Sequence, residues 1–142
     1  MRALDESEPA GARVAQRLRS ERMGWITTVR ADGQPQTSGI WFHWDGADFL
    51  VMSRPGAAKV RNVRHNPRVS FNLDGDGVGG GLVIVEGTAE VLPEVPDAAR
   101  LDAYVAKYAE PIAQILRTTP EDLLREFSTV LRIVPDRWRM QG

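Results

Sequence analysis

Two Asp-Gly pairs, Asp32-Gly33 and Asp45-Gly46, cut the first part of this chain into short runs of β-forming residues, and this punctuation restricts the fold more than any other feature. Trp25 to Val29 is β-branched, Gln36 to Trp44 follows the first pair, and Phe49 to Met52 follows the second before Arg54-Pro55-Gly56 ends it. The first half therefore reads as a meander. Arg68 to Leu73 alternates as a further strand, Leu82 to Leu92 is the longest strand candidate, and Thr129 to Val134 is the last. Six such segments with few, short helices predict a mainly β fold, a closed or partly closed antiparallel barrel.

The helices are predicted between these runs. Ser7 is placed as the cap of a leading helix over 8–22, with Pro9 in its first turn, Val14, Ala15 and Leu18 on one face, and Gly24 as its stop. Ala57 to Arg64 has Ala57, Val60 and Val63 on one stripe, leaving Lys59, Arg61 and Arg64 off it, and Asn66-Pro67 ends it. A helical insert spans about 97–127, read as helices over 97–109 and 120–127 with Thr118-Thr119-Pro120 starting the second.

Composition excludes several roles. A chain of 142 residues fits one domain over 1–142. Eighteen basic against nineteen acidic side chains leave a net charge of −1, so no global field draws it to nucleic acid or membrane, and any anion site must be local. The absence of cysteine excludes disulfides, thiolate metal sites and a cysteine nucleophile. The start is acidic and has no apolar stretch of the signal-peptide kind, and no run approaches the roughly 20 apolar residues of a spanning helix, so a cytoplasmic location is expected. His43 and His65 are far apart in sequence, which argues against a metal site. No nucleophile-elbow motif supports a serine hydrolase. The four tryptophans, at 25, 41, 44 and 138, do not interleave with the basic stretch from Arg54 to Arg68, as a nucleic-acid platform would require.

Two constellations suit a ligand. Ser53-Arg54-Pro55-Gly56-Ala57-Ala58-Lys59-Val60-Arg61 places a strand end before a helix start with a hydroxyl, a guanidinium and an ammonium nearby, the construction an anionic phosphate needs; a solvated basic helix face is the alternative. Gln36-Thr37-Ser38-Gly39-Ile40-Trp41 alternates, with Gln36, Ser38 and Ile40 on one side and Thr37, Gly39 and Trp41 on the other, which suits the rim and platform of a flat ring; an ordinary half-buried strand is the alternative. Gly75 to Gly80 has the spacing Gly-x-Gly-x-x-Gly, but the β-branched run that follows is a strand, so no helix start awaits a pyrophosphate and the segment reads as a hairpin loop.

Taken in order, Gly24-Trp-Ile-Thr-Thr-Val-Arg-Ala-Asp-Gly-Gln-Pro-Gln, Ile40-Trp-Phe, Phe49-Leu-Val-Met-Ser, Lys59-Val-Arg-Asn-Val-Arg-His-Asn-Pro-Arg-Val-Ser and Val85-Glu-Gly-Thr-Ala resemble the pyridoxamine 5'-phosphate oxidase-like split β-barrels, with Leu131 to Trp138 resembling their last strand. Within that superfamily the chain is most similar to the actinobacterial deazaflavin-dependent branch that uses coenzyme F420. The resemblance implies a six-stranded antiparallel Greek-key barrel of the FMN-binding type and a homodimer with a cofactor groove at the subunit interface. It implies that Ser53, Arg54, Lys59 and Arg61 hold phosphate, that Gln36, Thr37, Ser38, Ile40 and Trp41 border a tricyclic ring with Met52 beneath or beside it, and that the partner contributes Trp138 and Arg139. The chain stops at Gly142, without the C-terminal extension of the true oxidases, which argues against oxidation of a vitamin B6 phosphate. The expected activity is hydride transfer between reduced F420 and a small organic acceptor, with no catalytic side chain singled out. FMN shares the tricyclic core and the phosphate, and a non-catalytic carrier of flavin, F420 or haem would use the same groove. The choice of F420 rests on the resemblance as a whole.

Overall fold

The computed structural model describes residues 3–141. One antiparallel sheet of seven strands, β1 (Gly24–Val29), β2 (Pro35–Ile40), β3 (His43–Trp44), β4 (Phe49–Ser53), β5 (Arg68–Leu73), β6 (Leu82–Val91) and β7 (Thr129–Gln141), runs in the order β2-β1-β5-β6-β7-β4-β3. Strands β2 and β3 are the two edges, yet only Trp41 and Phe42 separate them, and two residues bridge no more than roughly 10 Å. The sheet must therefore curl until its edges meet, which makes it a split barrel. Ile26, Phe42, Phe49, Phe71, Val85, Leu131, Ile133 and Trp138 fill the interior.

The expected strand Gln36 to Trp44 is divided, which gives seven strands where the sequence predicts six. The division is made by α3 (Ala98–Gln114). Phe42 N–H donates to the Tyr108 hydroxyl at 2.8 Å, and Phe42 C=O accepts from Lys107 Nζ at 3.0 Å. The Tyr108 hydroxyl hydrogen is shared between the carbonyls of Arg22, at 2.7 Å, and Phe42, at 3.1 Å. Side chains from the middle of α3 thus replace the strand neighbour that Phe42 lacks.

Every residue of β4 is buried because both its faces are covered. Phe49 and Val51 face the barrel, while Leu50 and Met52 meet Tyr104, Tyr108, Ile112 and Leu123 of the insert. The continuous apolar run Phe49-Leu-Val-Met is what a strand covered on both faces requires. Helix α3 runs past Pro111 to Gln114, beyond its expected end at 109, and α4 (Pro120–Glu126) starts with the Thr119 side chain accepting from Asp122 N–H at 3.2 Å.

Helix α1 (Pro9–Ser20) has Glu8, not Ser7, at its cap position, with no side-chain cap; Ser7 bonds Asp5 instead. Strand β7 continues seven residues beyond Val134, against the sequence expectation. The extension passes through a register shift at Glu86/Gly87, where Arg137 and Pro135 face successive β6 residues and Asp136 is left over. Pro135 has no N–H to donate, and a bulge is where a sheet tolerates it. The glycine-rich segment is the β5–β6 hairpin loop: Asp76 Oδ1 accepts from Val78 and Gly80 N–H, and Arg17 ties the carbonyls of Asp74 and Gly81 to α1.

Candidate functional site

A cavity of about 310 Å³ opens at the seam of the barrel, between the end of β2, the outer face of β4 and the helical insert. It lies at the lower end of the roughly 300–1,000 Å³ typical of small-molecule sites. From the barrel come Gly39, Ile40, Trp41 and Met52, from α2 (Ala58–His65) comes Lys59, and the insert closes the far side with Tyr104, Leu116, Leu123 and Phe127. A Cβ on Gly39 would lie 2.6 Å from Met23 Cε, so a side chain there would make the flexible Met23 methyl shift within this wall.

Four of the residues singled out in the sequence, Ile40, Trp41, Met52 and Lys59, are brought together here. The strand alternation holds as read through β2: Gln36, Ser38 and Ile40 are the more buried set, and Thr37 and Gly39 are exposed. Trp41 lies just beyond the strand, where the chain has turned, so it joins Ile40 at the same cavity. One face of its ring is stacked on Tyr108, with centroids 4.4 Å apart. Gln36 does not line the cavity; its side-chain oxygen accepts from Asn62 Nδ2, which also donates to Thr28 and so fastens α2 to the barrel. Thr37 pairs with Thr27 across β1 and β2.

The predicted phosphate cluster divides. Ser53 is buried and its hydroxyl donates to Arg54 C=O, while Arg61 donates to Gly56 C=O. Arg54 is paired with Glu126 of α4 at 2.6 Å and lies over the Phe127 ring. Lys59 alone of the four is in the cavity wall. It is half-buried, and burial, then the neighbouring Arg54 charge, holds its ammonium below the ordinary lysine range. Among the described residues Lys59 has no hydrogen-bond or ion-pair partner.

Trp138 corrects the sequence expectation. Its side chain is 2% exposed and packs in the barrel interior against Trp44 and Phe49, so it is not at a surface where it could complete a partner's groove. Arg139, next along β7, is exposed and pairs with Glu86. His43 borders a separate opening of about 520 Å³ with Asp45, Asp97 and Arg100, where burial holds its imidazole below the ordinary histidine range against the opposing pull of Asp45. Among the described residues no group of three or more His, Cys, Asp or Glu could hold a metal ion, and no helix is long and apolar enough to cross a membrane.

The residues that sequence reasoning missed, Met23, Tyr104, Leu116, Leu123 and Phe127, come from the insert and from the residue before β1. The helical spacing of Tyr104 and Tyr108 was the available signal, since an i, i+4 aromatic pair marks a buried stripe. It does not say which strand that stripe covers.

Residues 11–142 match the family described as pyridoxamine 5'-phosphate oxidase. The chain belongs to that family. Its split barrel superposes on a conserved hypothetical protein from Mycobacterium tuberculosis with a TM-score of 0.72, at 29% identity over 92% of this chain and 83% of that one. An F420 reductase is similar at 25% identity over 89% of this chain and 95% of the other, with a TM-score of 0.69. The haem storage protein HutZ of Vibrio cholerae shares the fold at 18% identity, with a TM-score of 0.71, covering 92% and 94% of the two chains.

Proposed function

We propose that the seam cavity binds coenzyme F420 and that the protein is an F420-dependent oxidoreductase acting on a small organic acceptor. The observation that carries this reading is Lys59, an ammonium half-buried in a mostly apolar wall with no partner among the described residues. A charge in that setting is stabilised by an anion brought by a ligand. Flat apolar walls with one cation suit a tricyclic ring carrying a phosphate, and the similarity to an F420 reductase favours the deazaflavin.

When bound, F420 supplies the hydride chemistry. The chain's own residues bind, orient and exclude water. Met52, Ile40 and Leu123 give the ring an apolar bed, and Lys59 takes the phosphate charge. Arg54 joins it on leaving Glu126, and Ser53 and Arg61 stand at the same strand-to-helix turn. Thr37 and Ser38, with Gln36 behind them, form the polar rim of β2. A second copy of the chain is expected to complete the groove along the unpaired edge of β2, with Arg139 its exposed contribution.

Titration with F420 and, separately, FMN, followed by tryptophan quenching, tests the reading. Micromolar or tighter F420 binding with weaker FMN binding supports it; preference for FMN moves the protein to flavin chemistry, and binding of neither refutes it. Lys59→Met is expected to weaken F420 binding by roughly 10- to 100-fold, the worth of a charge-assisted hydrogen bond. An unchanged affinity would remove Lys59 from the site.

A further inference from the structure

Tyr104 and Tyr108 stand one turn apart on α3, with ring centroids 5.0 Å apart. Both are buried, and burial raises both phenols well above the ordinary tyrosine range, so both stay protonated donors. Their hydroxyls are treated very differently. Tyr108 accepts one hydrogen bond and donates to two carbonyls. Tyr104 is 3% exposed, and its hydroxyl has no hydrogen-bond partner among the described residues. The two buried side-chain atoms left without a partner among the described residues belong to Trp44 and Arg132, so the Tyr104 oxygen is reached by the water of the cavity, which a ligand's acceptor can replace. What sets Tyr104 apart is its place in the wall of the cavity, on the insert side, with Lys59 contributed by α2.

We propose that Tyr104 is a positioning residue whose hydroxyl donates a hydrogen bond to a ring-edge carbonyl oxygen of the flat ligand, fixing the orientation of the ring while Lys59 holds its anionic group. This rests on the reading of the cavity as a cofactor site, and it gives the helical insert a role in recognition besides packing. The ligand class that follows is a planar heterocycle with a carbonyl acceptor on one edge and an acidic group on a side arm. A purely apolar ring would leave the hydroxyl unmatched and bind less well.

The test compares the wild-type chain with Tyr104→Phe in three measurements: F420 affinity by tryptophan quenching, the absorption maximum of bound F420, and Tm without ligand. The expected result is a loss of affinity of about 2- to 13-fold, the worth of a neutral hydrogen bond. A shifted absorption maximum and a ligand-free Tm equal to or above wild type should accompany it. A purely structural tyrosine would behave in the opposite way, with a lower Tm and an unmoved absorption maximum. Equal affinity in both proteins, or a fall in Tm, overturns the proposal while leaving the cofactor site standing. If the wild type binds neither F420 nor FMN, the cofactor reading fails and this proposal falls with it.

Discussion

Replacing Tyr108 by phenylalanine removes one oxygen and leaves the ring contacts with Trp41 and Tyr104 in place, yet it strands polar groups at the point where the barrel is split. Phe42 is fully buried, and its N–H loses its acceptor. Arg22 C=O loses its 2.7 Å donor, whereas Phe42 C=O keeps Lys107. A buried unsatisfied N–H costs about 1–3 kcal/mol and the lost bond to the part-buried carbonyl about 0.5–1.5 kcal/mol, so the sum is about 1.5–4.5 kcal/mol. At this chain length each kcal/mol moves Tm by roughly 3–5 °C, which gives a fall of roughly 5–22 °C. Urea unfolding followed by tryptophan fluorescence should show a lower midpoint with an unchanged slope, since the surface exposed on unfolding is the same. A loss below about 0.5 kcal/mol would refute the argument that Tyr108 replaces the missing strand partner of Phe42.

Two further outcomes follow from particular contacts. Lys107 lies over the Phe42 ring and bonds two backbone carbonyls, and burial, opposed only in part by Glu21, lowers its pKa to about 8. The unfolded chain therefore binds a proton that the folded chain has released between pH 8 and about 10, so this lysine's contribution to stability rises with pH across that window. Urea midpoints at pH 7.5 and 9.5 should show that rise flattened in Lys107→Met, and equal pH dependence in the two proteins would contradict it. Gly87→Ala places a Cβ 2.3 Å from Val134 O at the β6–β7 bulge, a backbone contact that cannot rotate away, so a loss of at least about 1–3 kcal/mol is expected in the same unfolding assay.

The strands of the barrel were legible because their signals are local. Asp32-Gly33 and Asp45-Gly46 mark turns whatever else the chain does, and Leu82 to Val91 reads as a strand from its β-branching alone. The start of α4 was legible for the same reason, since Thr119 directly precedes the helix and caps it by accepting from the N–H of Asp122, three residues on. Lys59, Ile40, Trp41 and Met52, which line the cavity, could be named from the sequence, Lys59 by the strand-to-helix turn and Met52 by the family resemblance, while alternation set Ile40 and Trp41 on opposite sides and the turn after β2 brings them to one cavity. Local rules failed wherever a distant segment supplied the partner. Gln36 to Trp44 carries no break of its own and is split because Tyr108 and Lys107 reach Phe42 from 65 residues or more away in sequence. Pro135 looks like an end and is a bulge, because Gly87 lets β6 and β7 approach closely there. Trp138 has the chemistry of a ligand contact and lies in the core, because alternation along β7 past the bulge turns it inward against Trp44 and Phe49. By itself the sequence determined which residues form strands and helices and which charges lie near a turn. The tertiary structure decided that the insert covers β4 and closes the cavity with Tyr104, Leu123 and Phe127, since which apolar faces meet is settled by packing between segments that no short-range pattern connects.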